Sequence, residues 1–122
     1  MNKASEVAEV EVGDVFVMTG GYNQINIDYY QVVELTPSGK SARLQTIAQV
    51  TIEEDEGWEL VSPDIDNFTG APFTKRIGDA GDEPCFRIWS KGYAYHFGSR
   101  REIETSPTNG TPRYQTGPYA GH

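Results

Sequence analysis

The chain is poor in the side chains from which most metal and redox sites are built. Among its 122 residues there is one cysteine, Cys85, and there are two histidines, of which only His96 lies in a predicted strand. A single cysteine excludes an internal disulfide, and no Cys-x-x-Cys or His-x-x-x-His pair is present for zinc. Residues 64–67 resemble the start of a calcium loop, but Thr69 and Lys75 occupy the positions that need Gly and Glu. We therefore predict no metal site and no cofactor.

The sequence also lacks long apolar runs and familiar catalytic motifs. No stretch approaches the roughly 18 apolar residues of a membrane-spanning helix, and the first twelve residues contain no signal-peptide core. These absences predict a cytoplasmic protein with no membrane partner. Cys85 and His96, across one hairpin, are the only Cys/His combination, and a small buried thiol is the simpler account of the cysteine. We therefore predict that the protein is not an enzyme.

Basic residues are missing from the middle of the chain. The net charge is −8, and the interval between Arg43 and Lys75 has seven acidic residues and no Lys or Arg. Residues 75–113 hold seven of the ten basic residues. This asymmetry predicts an acidic face that favours a basic protein surface, although it is also what solubility alone would require. The acidic face is predicted to comprise Glu53, Glu54, Asp55, Glu56 and Glu59.

The strongest pattern that is present has a period of two. At residues 25–35 and 42–52, apolar and polar side chains alternate as in half-buried strands, and the Pro and Gly between them predict a hairpin. No segment shows a convincing helical period. The sequence predicts a single small, mainly β domain with little helix, an antiparallel meander forming a curled sheet or small barrel. Further strands are predicted at 14–18, 58–61 (ending before Pro63), 73–77 (an edge strand), 85–90 and 93–97, with turns or loops at 64–72 and 78–84.

The β domain is predicted to span residues 13–105. An N-terminal segment, 1–12, precedes it, and an irregular C-terminal tail, 106–122, rich in Gly, Pro, Thr and Tyr, follows it. The core is predicted from the apolar positions of the strands. It comprises Phe16, Ile25, Ile27, Tyr29, Val33, Leu44, Val50, Trp58, Leu60, Phe86 and Ile88.

Residues 21–33, Gly-Tyr-Asn-Gln-Ile-Asn-Ile-Asp-Tyr-Tyr-Gln-Val-Val, are similar to a known motif. They resemble the core of a family of small uncharacterised phage and plasmid proteins, Trp-Gly-Tyr-Asp-Gln-Thr-Asn-(Val/Ile)-Asp-(Phe/Tyr)-(Tyr/Phe)-Gln-Val. Residues 110–116 resemble the Gly-x-Pro-x-Tyr-x-(Thr/Ser) tail of that family. Asn23 and Ile25 stand where the family has Asp and Thr. The resemblance implies a mobile-element origin and no particular reaction.

The same segment predicts a polar recognition face at the start of a strand. Its hydrogen-bonding side chains would line one sheet surface, although Asn and Gln in a turn can instead satisfy backbone groups. The face comprises Tyr22, Asn23, Gln24, Asn26, Asp28 and Tyr30.

A third candidate surface interleaves arginines with aromatic residues. This pattern is typical of platforms that stack bases, and it equally suits a small nucleotide or a core aromatic cluster with solvated arginines. The net charge argues against direct nucleic-acid binding. The candidate residues are Arg87, Trp89, Tyr93, Arg100 and Arg101.

Two functions follow as hypotheses. In the first, the chain is a phage or plasmid accessory protein that binds and inhibits a host defence or nucleic-acid-handling protein with a basic surface, in the manner of an anti-CRISPR protein. In the second, it sequesters a nucleotide signal through the aromatic–arginine surface. The acidic interval favours the first hypothesis, the cluster of arginine and aromatic residues favours the second, and the sequence leaves self-association open.

Overall fold

The computed structural model describes residues 9–20, 25–90 and 92–116. It is 66% strand and 5% helix, with one eight-stranded antiparallel sheet, which confirms the mainly β prediction. The elements are β1 (Val15–Gly20), β2 (Asn26–Leu35), β3 (Ser41–Asp55), β4 (Trp58–Phe68), β5 (Phe73–Ala80), β6 (Glu83–Trp89), β7 (Gly92–Gly98), α1 (Arg100–Glu104) and β8 (Arg113–Thr116).

The sheet curls so far that strands distant in its order pair with each other. The order is β2-β1-β7-β6-β5-β3-β4-β8, and β2 also pairs with β3. The long strand β3 makes this possible: residues 41–44 pair with β5, residues 42–47 with β2, and residues 47–55 with β4. The predicted hairpins β2–β3 and β6–β7 are confirmed. We call the curled part of the sheet, which comprises β1, β2, β5, β6, β7 and residues 41–47 of β3, the curl. The far half of β3 leaves the curl and pairs with β4, which in turn pairs with β8.

Strand β1 is buried on both faces, which explains its unbroken apolar sequence. Phe16 and Met18 point into the curl, and Val15 and Val17 point outward beneath β4 and α1. A strand that is covered on both faces has a continuous apolar sequence instead of an alternating one. The inner core comprises Val10, Phe16, Met18, Tyr30, Val32, Ala42, Leu44, Phe86 and Ala94. The outer core comprises Val15, Val17, Ile27, Tyr29, Ile47, Val61 and Ile103.

The short helix α1 closes the outer core and has a clear capping signal. Ser99 Oγ accepts a hydrogen bond from the Glu102 amide at 3.1 Å, and Glu102 Oε1 accepts one from the Ser99 amide at 2.8 Å. This reciprocal capping box satisfies two amides that the first helical turn leaves free. The helix then buries Ile103. Five residues are too few to show a helical period, so period alone does not reveal this helix.

Several predicted boundaries are wrong. β4 continues through Pro63 to Phe68 instead of ending before the proline. The β3–β4 register shifts beside Pro63, and proline is tolerated at such irregular positions because no regular ladder bond is lost there. The predicted edge strand β5 lies between β3 and β6. The predicted 78–84 loop is reduced to a tight turn in which Gly81 has a φ of +73°.

The predicted irregular tail contains a strand. β8 pairs antiparallel with β4, with Tyr114 opposite Leu60 and Gln115 opposite Glu59. The composition of residues 106–122 hides this strand because a four-residue edge strand needs few apolar side chains of its own. Pairing with β4 stabilises it instead.

Ten of the eleven predicted core residues are buried or half-buried, and one is exposed. Phe16, Ile27, Tyr29, Leu44 and Phe86 are buried, as predicted. By contrast, Ile25 is 52% exposed, because the layer that covers the outer face of β2 ends at Ile27. The remaining five predicted core residues are half-buried. They are Val33, Val50, Trp58, Leu60 and Ile88. Val33 lies at a register shift, Ile88 lies at the margin of the inner core, and the other three lie in the β3–β4 pair outside the curl.

Candidate functional site

The acidic residues lie at the end of the sheet that projects from the curl. We call residues 51–60, the tip of the β3–β4 hairpin, together with β8, the acidic arm. A two-residue turn at the tip contains Gly57, whose φ of +86° suits glycine. The first four predicted acidic residues are exposed, and none makes an ion pair with another residue of the described chain. They are Glu53, Glu54, Asp55 and Glu56.

Aromatic side chains share one face of the acidic arm with two of its carboxylates. Asp55 lies opposite Trp58, Glu53 opposite Leu60, and Leu60 opposite Tyr114. Residues directly opposite in an antiparallel pair have their side chains on the same face. The Trp58 and Tyr114 rings pack edge to face, with centroids 5.0 Å apart; Trp58 is half-buried and Tyr114 is 61% exposed. The sequence pattern placed Trp58 in the core and did not single out Tyr114.

A pair of glutamines joins the acidic arm to the curl. Gln49 Nε2 donates to the carbonyl of Ile27 and to Gln115 Oε1, and Gln115 Nε2 donates to Gln49 Oε1. Gln115 Nε2 also donates to Glu59, the fifth predicted acidic residue, which is half-buried. Gln115 Oε1 accepts the Ile27 amide at 3.2 Å. These side chains take the place of the strand pairing that β2 and β3 lack at Ile27, so the arm is held in a defined position.

The aromatic–arginine surface is only partly assembled. Arg87 lies directly opposite Tyr93 on the β6–β7 hairpin, and the Tyr93 and Tyr95 rings are stacked with centroids 6.4 Å apart. Both tyrosines are exposed, at 41% and 46%. Trp89 is 63% exposed, but its Nε1 donates to the sulfur of Met18, which belongs to the inner core. The hairpin therefore presents one arginine and two stacked rings.

The two helix arginines lie apart from that hairpin, on α1. Arg100 forms a bidentate ion pair with Asp66, which also accepts a 2.9 Å hydrogen bond from Gln31 Nε2. These contacts lower the pKa of Asp66, with the Arg100 hydrogen bond as the largest cause. Arg100 also contacts Glu104. Its guanidinium thus holds α1 against the sheet, while Arg101 is exposed.

The predicted polar recognition face is divided by the fold. Tyr22, Asn23 and Gln24 lie outside the described residues. Asn26 and Asp28 are exposed, whereas Tyr30 is only 6% exposed and packs in the inner core, so it is not available at a surface. Burial, followed by the charge of Asp28, raises the pKa of Tyr30 to about 12.

Cys85 and His96 lie on opposite faces of the β6–β7 pair. Cys85 is opposite Tyr95, while His96 follows the buried side shared by Phe86 and Ala94. Burial raises the pKa of the Cys85 thiol, which disfavours the reactive thiolate. His96 Nε2 instead lies 3.4 Å from the buried carboxylate of Asp14. His96 therefore pairs with Asp14, the residue just before β1, and Cys85 and His96 do not form a nucleophile–base pair.

Comparisons with known proteins give no further guide to these surfaces. No family model, no curated protein and no solved structure matches the chain. Among the described residues, no three His, Cys, Asp or Glu side chains gather as a metal ion would require. The helical part of the described chain includes no segment long and apolar enough to span a membrane.

Proposed function

We propose that the protein acts by binding, with the acidic arm docking on a basic surface of a partner protein. The observation that carries this proposal is the shared face of the arm, where the Trp58–Tyr114 ring pair is flanked by the carboxylates of Glu53 and Asp55. Protein interfaces combine an aromatic centre that is desolvated on binding with a polar rim. The carboxylates would steer a basic partner, and the exposed ring of Tyr114 would supply the apolar contact.

The position of the charges supports the same proposal. Glu54 lies directly opposite Glu59, so like charges face each other across the β3–β4 pair. Facing like charges destabilise a strand pair, and a second chain that brings positive charge would relieve the repulsion. Together with the resemblance to phage and plasmid proteins, this favours an inhibitor of a host defence or nucleic-acid-handling protein, whose substrate groove is basic.

The experiment compares capture of host proteins by variants with matched charge. The arm variant carries Glu53→Gln, Glu54→Gln, Asp55→Asn and Glu56→Gln. The control variant removes four exposed carboxylates of the curled part of the sheet: Glu34→Gln, Asp79→Asn, Asp82→Asn and Glu83→Gln. Both have the same net charge, so general electrostatic attraction changes equally in the two.

We expect one host protein to be captured by the wild type and the control variant and lost from the arm variant. Tyr114→Ala should weaken capture of the same protein by more than about tenfold, since aromatic residues at interface centres contribute about 2 kcal/mol or more. Equal loss of capture by both charge variants would show that net charge alone, and not the acidic arm, determines binding. Full capture by the arm variant and by Tyr114→Ala would contradict the proposal.

The β6–β7 hairpin supports a second candidate, the binding of a nucleotide. The exposed, stacked rings of Tyr93 and Tyr95 suit a base, and Arg87 opposite Tyr93 suits a phosphate. Arg87→Ala and Tyr93→Ala should then abolish binding of a cyclic dinucleotide or mononucleotide panel, while Arg101→Ala should leave it unchanged. A panel with no binding to the wild type would exclude this candidate.

A further inference from the structure

A cleft opens at the base of the acidic arm, where β2 and β3 separate. Their last paired residues are Tyr29 and Ile47, and beyond that point β3 pairs with β4. The cleft between the diverging strands has a volume of about 420 Å³ and is lined by β2, β3 and Thr69. This volume is within the range of sites for small ligands.

Most polar groups that line the cleft are already paired. Both polar atoms of the Gln49 side chain are engaged by Ile27 and Gln115, as described above. The Thr69 hydroxyl donates to Thr46 Oγ1 at 3.2 Å, and the Thr69 amide donates to the Thr46 carbonyl at 2.9 Å. These bonds fix the walls of the cleft and leave little hydrogen-bonding capacity in them.

The carboxylate of Asp28 is the exception. Asp28 lines the cleft, and its carboxylate makes no hydrogen bond or ion pair with any other residue in the described part of the chain. Although Asp28 is exposed, the surrounding protein removes enough water to raise the pKa of its carboxyl group. A carboxylate that has lost water without gaining a partner is stabilised by a cation. The cleft therefore combines fixed walls with one negative charge that no described residue pairs.

We propose that this cleft binds a positively charged group at the end of an alkyl chain, and that its occupant is an arginine or lysine side chain of the partner protein. The charged group would pair with Asp28. The alkyl chain would lie along the apolar parts of the wall, which are supplied by Ile27, Ile47 and Ala48. An anion would be repelled by Asp28, and a neutral apolar group would leave the carboxylate desolvated and unpaired.

The position of the cleft connects this inference to the proposed function, on which the identity of the occupant rests. Gln49 lies in the wall of the cleft and is hydrogen-bonded to Gln115 of β8, which belongs to the arm. A basic partner drawn to the arm would thus meet the cleft beside it. The site would convert general charge attraction into recognition of one side chain.

The test uses free ligands, so that it does not depend on the partner. Arginine amide is titrated into the labelled full chain while the backbone amide resonances are followed, and citrulline amide, a neutral analogue of nearly the same shape, is the ligand control. Asp28→Asn is the site variant. Glu34→Gln, which removes an exposed charge from the other end of β2, is the matched control.

We expect saturable shifts at Thr46, Ala48 and Thr69 with arginine amide and none with citrulline amide. A single charge-assisted pair predicts a dissociation constant on the order of 1 mM. Asp28→Asn should weaken binding at least tenfold and should not lower the unfolding temperature, and Glu34→Gln should change neither. Equal binding of citrulline amide, or shifts that persist in Asp28→Asn, would overturn the inference.

The arm variant separates this inference from the proposed function. Its cleft is unchanged, so it should bind arginine amide about as well as the wild type even where it fails to capture the partner. A second part of the test uses the captured partner: Asp28→Asn should weaken its binding, with Glu34→Gln as control. Binding of arginine amide without any effect of Asp28→Asn on the partner would overturn the assignment of the occupant and show that it is a free cation.

Discussion

The curl and the acidic arm are parts of one sheet with opposite physical characters. In the curl, β1 is covered on both faces and neighbouring strands share two apolar cores. In the arm, β3 continues with exposed carboxylates, β4 has half-buried apolar residues, and the short strand β8 pairs with β4. Burial makes the curl stable, and exposure makes the arm available. The contrast shows that one continuous sheet contains a well-buried part and an exposed part.

The largest expected effect separates a leucine of the curl from a leucine of the arm. Leu44 is fully buried in the inner core, whereas Leu60 is half-buried on the arm. Leu44→Ala should lower the free energy of unfolding by about 2–5 kcal/mol, because it leaves a cavity. Leu60→Ala should cost roughly 1 kcal/mol or less, since exposed surroundings can relax. Chemical denaturation of both variants measures this, and equal losses would mean that the arm is part of the core.

The next effect concerns the link between the two regions. Gln115→Ala removes the side chain that satisfies the Ile27 amide and contacts Gln49 and Glu59. We expect a loss of about 1–3 kcal/mol, because a buried amide is left without a partner, and faster hydrogen exchange at Ile27. Gln45→Ala removes a single exposed hydrogen bond to the Gly70 carbonyl and should cost under about 0.5 kcal/mol. Unchanged exchange at Ile27 would show that the glutamines do not couple arm and curl.

A smaller effect is expected from pH, and His96 in the curl provides a test of it. The hydrogen bond to Asp14 raises the pKa of His96 above its ordinary value of 6.5; burial opposes this, and the charges of Asp14, Glu102 and Glu83 reinforce it. The protonated His96 thus stabilises the folded state fully below about pH 6.5 and loses that contribution as pH rises through the raised pKa. His96→Gln should flatten this decline in unfolding free energy. If the wild type instead gained unfolding free energy relative to His96→Gln as the pH rises through this range, the prediction would be contradicted.

The sequence predicts the curl better than the arm for a physical reason. Alternation at residues 25–35 and 42–52 reports burial of one face of each strand, so Ile27, Tyr29 and Leu44 are placed correctly, the first two in the outer core and Leu44 in the inner core. The arm has less burial, so Trp58 and Leu60, which are assigned to the core as apolar positions of a predicted strand, are only half-buried. The Ser-x-x-Glu signature at Ser99 and Glu102 is the one local signal that could have predicted α1.

The candidate site is predicted in part, for the same reason. The acidic residues are visible as a charge run, but their aromatic neighbour Tyr114 joins them only through the pairing of β8 with β4, and composition hides that strand. The ion pair of Arg100 with Asp66 and the cleft at Asp28 depend on residues far apart in the chain. Such sites depend on how the strands are arranged in the sheet, and the pattern of a single sequence does not specify that arrangement.

The most direct test of the account is the association rate of the captured partner with the arm variant and with the matched four-charge control. We predict that the arm variant associates at least tenfold more slowly at low salt, with a dissociation rate changed less than about threefold, and that added salt removes most of the difference. Its unfolding free energy should stay within about 0.5 kcal/mol of wild type. Equal association rates for the two variants would contradict the claim that the acidic arm is the docking surface.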